Sequence, residues 1–263
     1  MDISASSLSA LSEINFGPKT RQVNALHERI FFSATALGLL AVTFIGFAPS
    51  YFLRSYFDAP PVLTPVLHLH GGVFTGWLLL YLTQTTLIAA DKRHIHRRLG
   101  VVGIVLAIAM VALTLIVMIT RLQDGTLFTR LPIPPKVFLV NPFALLILFI
   151  GFVGSALYFR RQVAIHKRLM LLATMTVVLP AFGRIMGNLT SSGVIPPLGP
   201  AMQVVTSPMN LFLLALVIFD WLTLRRVHIA TWLGGTAFIG VQLFCKWLGA
   251  TAVWLAFANW LAG

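Results

Sequence analysis

The side chains able to do chemistry in this 263-residue chain are few and fall in clusters. His68 and His70 stand near the start of an apolar run, and His94 and His96 follow its end inside the basic turn Asp91–Arg98, DKRHIHRR. His166 sits in a second basic turn, RRQVAIHKR at 160–168, and His228 in a third, beside Arg225 and Arg226. Arg184 and Lys246 stand alone inside apolar runs, with Asn188 four residues beyond Arg184. Two kinds of chemistry follow. A His-x-His pair with a third histidine and a nearby carboxylate, Asp220, is an admissible transition-metal set. His94, His96 and His166 are therefore candidate metal ligands, and a single haem between His96 and His166 is the cofactor form of the same idea. Cations inside apolar runs are costly and tend to mark binding sites, unless they snorkel to the interface.

Depth separates these groups. At 1.5 Å per residue, His70 and His94 lie roughly 36 Å apart along a helix, more than the thickness of a hydrocarbon core of about 30 Å. One set belongs to each face of a membrane. Histidines of the outer level come from one run only, so a two-haem arrangement with ligands from facing spans lacks its partner there. Arg184 lies roughly 22 Å beyond Leu169, and Lys246 roughly 25 Å beyond Ile229. Both share the outer level with His68 and His70, and no Asp or Glu stands in a run at that depth. The expected pocket is therefore cationic: His68, His70, Arg184, Asn188 and Lys246, lined by Trp77 and Gln84. Its sign suits a carboxylate, a phosphate, a quinone carbonyl or a haem propionate.

These residues need elements to hold them, and composition says which. Apolar residues make up 58% of the chain and charged residues 10%, with mean hydropathy +0.90. Soluble domains carry roughly a quarter charged residues. Apolar runs above twenty residues, without ten-residue alternation, argue for transmembrane helices rather than a barrel. The net charge of +12 lies mostly in short segments between runs. That pattern signals topology and lipid headgroups rather than nucleic acid. Cys245 is the single cysteine, so no internal disulfide forms. No cleavable signal is expected at the start, because the first apolar run follows a polar stretch of 28 residues and is long enough to span.

The reading is all-α, with a cytoplasmic tail at 1–28 and a seven-helix transmembrane domain at 29–263. Spans are expected near 30–53, 62–90, 99–119, 137–159, 169–189, 201–224 and 229–258, the last open to a break near Gly249. Lys and Arg concentrate in the tail and in the turns after spans two, four and six, which gives N-in and C-out topology. Along span two, His70, Phe74, Trp77, Tyr81 and Gln84 share one stripe at helical spacing. His68 falls opposite, in line with Gly72 and Gly76, a small-xxx-small pair suited to close helix contact. Three basic turns each precede a helix start, which hints at repeated hairpins.

The turns His96-Arg97-Arg98-Leu99-Gly100 and His166-Lys167-Arg168-Leu169-Met170, with Trp77 upstream, give residues 65–190 a resemblance to uncharacterised bacterial multi-pass membrane proteins. That resemblance implies an inner-membrane location and brings no activity with it. A second comparison fails: seven-helix zinc hydrolases of the ceramidase type need histidines on the last helix, and span seven has none. Asn188-Leu189-Thr190 matches a glycosylation sequon but abuts a span end. No phosphate-binding glycine loop, Ser/His/Asp set or carboxylate pair occurs. The expected function is an inner-membrane protein whose outer pocket binds a small anionic, quinone-like or haem-like ligand, with a transporter or export accessory and a structural subunit as alternatives. Expected partners are the lipid bilayer, a small molecule, and a second copy or another protein.

Overall fold

The structure is a computed structural model, and it describes residues 18–57, 64–126, 133–194 and 208–263. Among these residues everything regular is helical. Helix α1 spans Pro18–Phe47 and ends in one π-helical turn, Ala48–Phe52. Then come α2 (Pro65–Ala89), α3 (Arg93–Gln123), a single turn at Pro135–Phe138, α4 (Val140–Tyr158) and α5 (Val163–Ser191). Helices α6 (Pro208–Leu224), α7 (Ile229–Leu248) and α8 (Ala252–Ala262) complete the chain. Five helices are long and apolar enough to cross a membrane: Ala25–Phe52, Pro65–Ala89, Arg93–Gln123, Pro135–Tyr158 and Val163–Ser191. Met209–Leu224, Ile229–Cys245 and Ala252–Ala262 are shorter apolar helices.

Helix α5 is the hub. Over its most apolar stretch 56% is buried, against 17% for α2 and for α3. Leu171, Leu172, Ala173, Met175 and Val178 are all fully enclosed. Around them pack Phe32 and Leu39 of α1, Trp77 and Tyr81 of α2, Phe149 and Phe152 of α4, Met209 and Leu216 of α6, and Phe238 of α7. The outward faces are apolar too: Val101, Val105 and Ile108 of α3 are all exposed. A helix that is apolar all round belongs in lipid or in a large core. Helix α1 meets α5 where Gly46 faces Ala181, and a Cβ at Gly46 would lie 2.2 Å from the Ala181 carbonyl oxygen. Glycine permits that backbone approach because it carries no side chain.

One sequence boundary shifts here, and the break left open near Gly249 is present. The tail at 1–28 is not separate throughout: residues 18–28 are continuous with α1. No proline interrupts the chain between Pro18 and Pro49, so nothing stops the helix earlier. The seventh apolar run does break at Gly249. Thr251 then caps α8, accepting from the Trp254 amide at 3.3 Å. Instead of prolonging α7, α8 turns against the end of α3 and the start of α4. Trp254 and Ala258 pack there with Met118, Leu122, Leu139 and Val140. Trp254 Nε1 donates to the Lys136 carbonyl at 2.8 Å, and Lys136 Nζ donates to Asn259 at 2.7 Å.

Candidate functional site

The bundle has a basic end, where the turns α2–α3, α4–α5 and α6–α7 gather, and a distal end. At the basic end the polar groups are tied to one another. Asp220 of α6 is fully buried and pairs with Arg168 of α5, itself 1% exposed. Arg168 donates to Oδ1 through Nε at 2.9 Å and through a second, closer contact from Nη2. Oδ2 accepts from Thr231 Oγ1 at 2.5 Å and from the His228 amide at 3.1 Å. Arg168 Nη1 donates to the Ala164 carbonyl at 2.8 Å. The pair therefore joins α5, α6 and the start of α7, with every polar edge of the carboxylate occupied. That is the condition under which a buried charge is tolerable.

Neighbouring turns are laced in the same way. Lys167 Nζ lies 2.6 Å from Glu28 and stands over the Phe32 ring. Arg29 donates to the Ala89 carbonyl at 3.0 Å, capping the C-terminal end of α2, and approaches Asp91. His228 caps α7: its Nδ1 accepts from the Ala230 amide at 3.1 Å. Partial burial and the nearby Arg168 push the His228 pKa down, against an opposing pull from Asp220.

The expected metal set does not converge. His94 is exposed, and among the described residues no group of three or more His, Cys, Asp or Glu side chains is arranged to hold an ion. Asp220, the carboxylate that set would need, is consumed by Arg168, Thr231 and His228. Two of the histidines do meet. The rings of His96 and His166 stand edge to face with centroids 6.4 Å apart.

The residues expected in one distal pocket divide between the two ends. The stripe on α2 turns inward, but it runs the length of the helix. Trp77 is buried mid-helix, T-stacked on Phe149 at 5.1 Å, with its Nε1 3.4 Å from Thr174 Oγ1. Gln84 reaches the basic end, where its Nε2 donates to the His96 carbonyl at 3.2 Å. Fourteen residues separate Gln84 from His70, roughly 21 Å of helix, so one ligand of ordinary size cannot touch both. Trp77 and Gln84 are thus corrected out of the distal lining. The Gly72–Gly76 contact also fails: a Cβ at Gly72 meets nothing within 4 Å, and at Gly76 only the Leu106 side chain at 3.9 Å.

At the distal end, His70 stacks on Phe74 at 4.2 Å, and its Nδ1 is buried without a hydrogen-bond partner. His68 is exposed, its ring 5.9 Å from that of Tyr51, whose hydroxyl donates to the His68 carbonyl at 3.2 Å. Tyr51 packs directly over Gly71, where a Cβ would come within 2.6 Å of the ring. Arg184 lays its guanidinium 4.4 Å from the centre of the Phe47 ring. Among the described residues no carboxylate pairs with it. Ile185, the next residue of α5, lines a groove of about 340 Å³ together with Phe44, Ile45, Ala48, Pro49, Phe57, Asn188 and Leu189. The side chain of Lys246 lies outside the described residues. Sequence reasoning missed Phe44 and the π-turn residues Ala48 and Pro49 as walls of this groove, and Phe47 as the ring under Arg184. The signal lay in Pro49, which disturbs the end of α1 and widens its last turn.

Comparison with protein-family models, with curated proteins and with solved structures finds no match to this chain.

Proposed function

We propose that the chain is a seven-span protein of a bacterial inner membrane. Its basic end faces the cytoplasm, and its distal groove binds a small amphiphile with an apolar body and an anionic or electron-rich head, such as a quinone. The observation that carries this reading is a groove whose α5 wall, Ile185 to Leu189, directly follows Arg184 in the chain, an arginine without an acidic partner among the described residues. Volume supports it: ligand pockets begin at around 300 Å³, and this groove has about 340 Å³. Lining supports it as well, since Asn188 is its one strongly polar member. Arg184 has a ring beneath it and no acidic partner among the described residues. A guanidinium in that state has its fork of donors free for a carbonyl, carboxylate or phosphate. The seven-span count takes α6 and α7 as the last two crossings, with α8 lying across the distal end. The orientation rests on the positive-inside pattern.

The test is binding to protein reconstituted in lipid nanodiscs, using decylubiquinone as the quinone probe and dodecyl phosphate as the anionic one. The expected result is saturable binding of one of them that weakens at least tenfold in Arg184→Gln. Ile45→Trp, which fills the groove, should abolish it. Equal binding by the wild type and both variants would remove the proposal.

A further inference from the structure

Charge at the basic end does not balance. The described acids there are spent: Glu28 on Lys167, Asp91 on Arg29 and Arg93, and Asp220 on Arg168. An arginine pair is left in each turn: Arg97 with Arg98, Arg160 with Arg161, and Arg225 with Arg226. All of these are exposed, and none has an acid within ion-pair distance among the described residues. Exposed cations alone are ordinarily just solvated. The α6–α7 turn differs from the other two in its backbone, its anchoring and its flanks.

Arg225 has a φ of +55°, in the left-handed region. Its amide donates to the Trp221 carbonyl at 2.9 Å and closes the end of α6. Glycine is the usual occupant of such a position, because a Cβ makes it strained. A strained residue that is not glycine points to a role for its side chain. The turn is also anchored from beneath: Asp220, buried against Arg168, accepts from the His228 amide at 3.1 Å. The two arginines are therefore carried on a fixed backbone. Finally, an exposed indole stands on each side of the turn, Trp221 at 56% and Trp232 at 58%. Neither of the other turns is flanked by tryptophan. Trp221 lies four residues before Arg225 and Trp232 four after His228, so both sit about 6 Å along their helices from the turn, at one depth. Leu222 and Leu233 beside them are exposed as well. Tryptophan collects at the boundary between headgroups and acyl chains, and the guanidinium fork matches a phosphate.

We propose that the α6–α7 turn seats an anionic phospholipid, with its phosphate on Arg225 and Arg226 and its acyl chains beside Trp221 and Trp232. An acidic protein partner would meet the arginines and leave both indoles untouched in the apolar belt, so lipid is the occupant that uses the whole turn. The proposal rests on the reading of α6 and α7 as membrane crossings. It is independent of the distal groove.

The full-length protein is reconstituted in nanodiscs of equal parts phosphatidylglycerol and phosphatidylcholine, with bromine on the acyl chains of one lipid or the other. Bromine quenches indole fluorescence on contact. The emission that belongs to this turn is the part lost in the double variant Trp221→Phe with Trp232→Phe. Brominated phosphatidylglycerol should quench it about fivefold more effectively than brominated phosphatidylcholine, the preference expected from one basic residue near an anionic headgroup. Arg225→Gln with Arg226→Gln should bring the two lipids level, and Arg225→Lys with Arg226→Lys should keep most of the preference. Arg97→Gln with Arg98→Gln removes the same charge from another turn and should leave the preference unchanged. Size-exclusion profiles establish that each variant is folded. Quenching by both lipids without preference overturns the seat and leaves the crossings in place. So does a preference that survives Arg225→Gln with Arg226→Gln, or one lost equally in Arg97→Gln with Arg98→Gln. Absence of quenching by either lipid overturns the seat together with the reading of α6 and α7 as crossings.

Discussion

At the basic end Asp220 receives hydrogen bonds from Arg168, Thr231 and the His228 amide. At the distal end Arg184 lies on the Phe47 ring with no carboxylate beside it. The two arginines sit on the same helix, sixteen residues or roughly 24 Å apart. One is fully enclosed and the other is exposed. The difference teaches how to separate a cation that holds a bundle together from one available to a ligand. A structural cation has its donors spent on protein atoms and its partner spent in turn. A cation kept for binding has a wall beneath it and donors left over. Substitutions at the two ends break or sharpen that contrast, and their expected effects on stability fall from Asp220 to Arg184.

The largest effect is expected at the pair itself. Asp220→Ala leaves Arg168 charged, buried and unpaired, which costs about 3–5 kcal/mol. Melting of the detergent-solubilised protein should show a large loss of stability or failure to accumulate. The double variant Asp220→Leu with Arg168→Met should recover most of that loss, because well-packed apolar residues often replace a buried ion pair at little cost. A double variant as unstable as the single one would mean that the Thr231 and His228 contacts, not the charges, hold α6.

Next comes the approach of α1 to α5. Gly46→Ala places a Cβ 2.2 Å from the Ala181 carbonyl oxygen, and the obstacle is backbone that cannot rotate away. Overpacking of this kind costs about 1–3 kcal/mol. Since Ile45 and Ala48 line the distal groove, the same substitution should also alter its width. A thermal shift together with a changed affinity for the quinone probe is the expected outcome. A shift in neither would show that α1 is free to slide.

Much of this architecture was legible beforehand. Apolar runs marked the helices because lipid demands length and continuity, and Gly249 marked the break. The Arg168–Asp220 pair was half legible. Asp220 is the one acid of seven inside an apolar run, and such an acid demands a cation. Which cation answers depends on the rotational phase of three helices, and hydropathy does not encode phase between helices. Arg168 therefore read as one more residue of a basic turn. The placement of Gln84 beside His70 fails for a plainer reason. Helical spacing groups residues by face, and only the rise along the axis groups them by depth.

A smaller effect, about 1 kcal/mol, attaches to the α7 cap. His228 Nδ1 accepts from the Ala230 amide, so the neutral ring is the folded form. Burial, Arg168, Lys167 and Arg226 disfavour the imidazolium, and Asp220 favours it without reversing the balance. The folded pKa lies below the ordinary 6.5. Stability from this cap is therefore complete above pH 6.5 and is lost as the pH falls below it. Melting temperature should drop between pH 7 and pH 5. His228→Asn, which caps without titrating, should remove that part of the slope.

The smallest effect on stability belongs to Arg184, and its smallness is the point. Its side chain is exposed and contacts the Phe47 ring, an interaction worth about 0.5–1 kcal/mol at such sites. Moving the charge out of the apolar belt offsets part of that, because an arginine in lipid is itself costly. Arg184→Gln should therefore melt within about 0.5 kcal/mol of the wild type, near the bound for surface substitutions. Its binding of the quinone or phosphate probe should still fall at least tenfold. Loss of binding without loss of stability at Arg184, set against loss of stability at Asp220, is the pattern the two ends require. A destabilised Arg184→Gln that still binds would invert it, making the distal arginine the strut and leaving the groove to an apolar ligand alone.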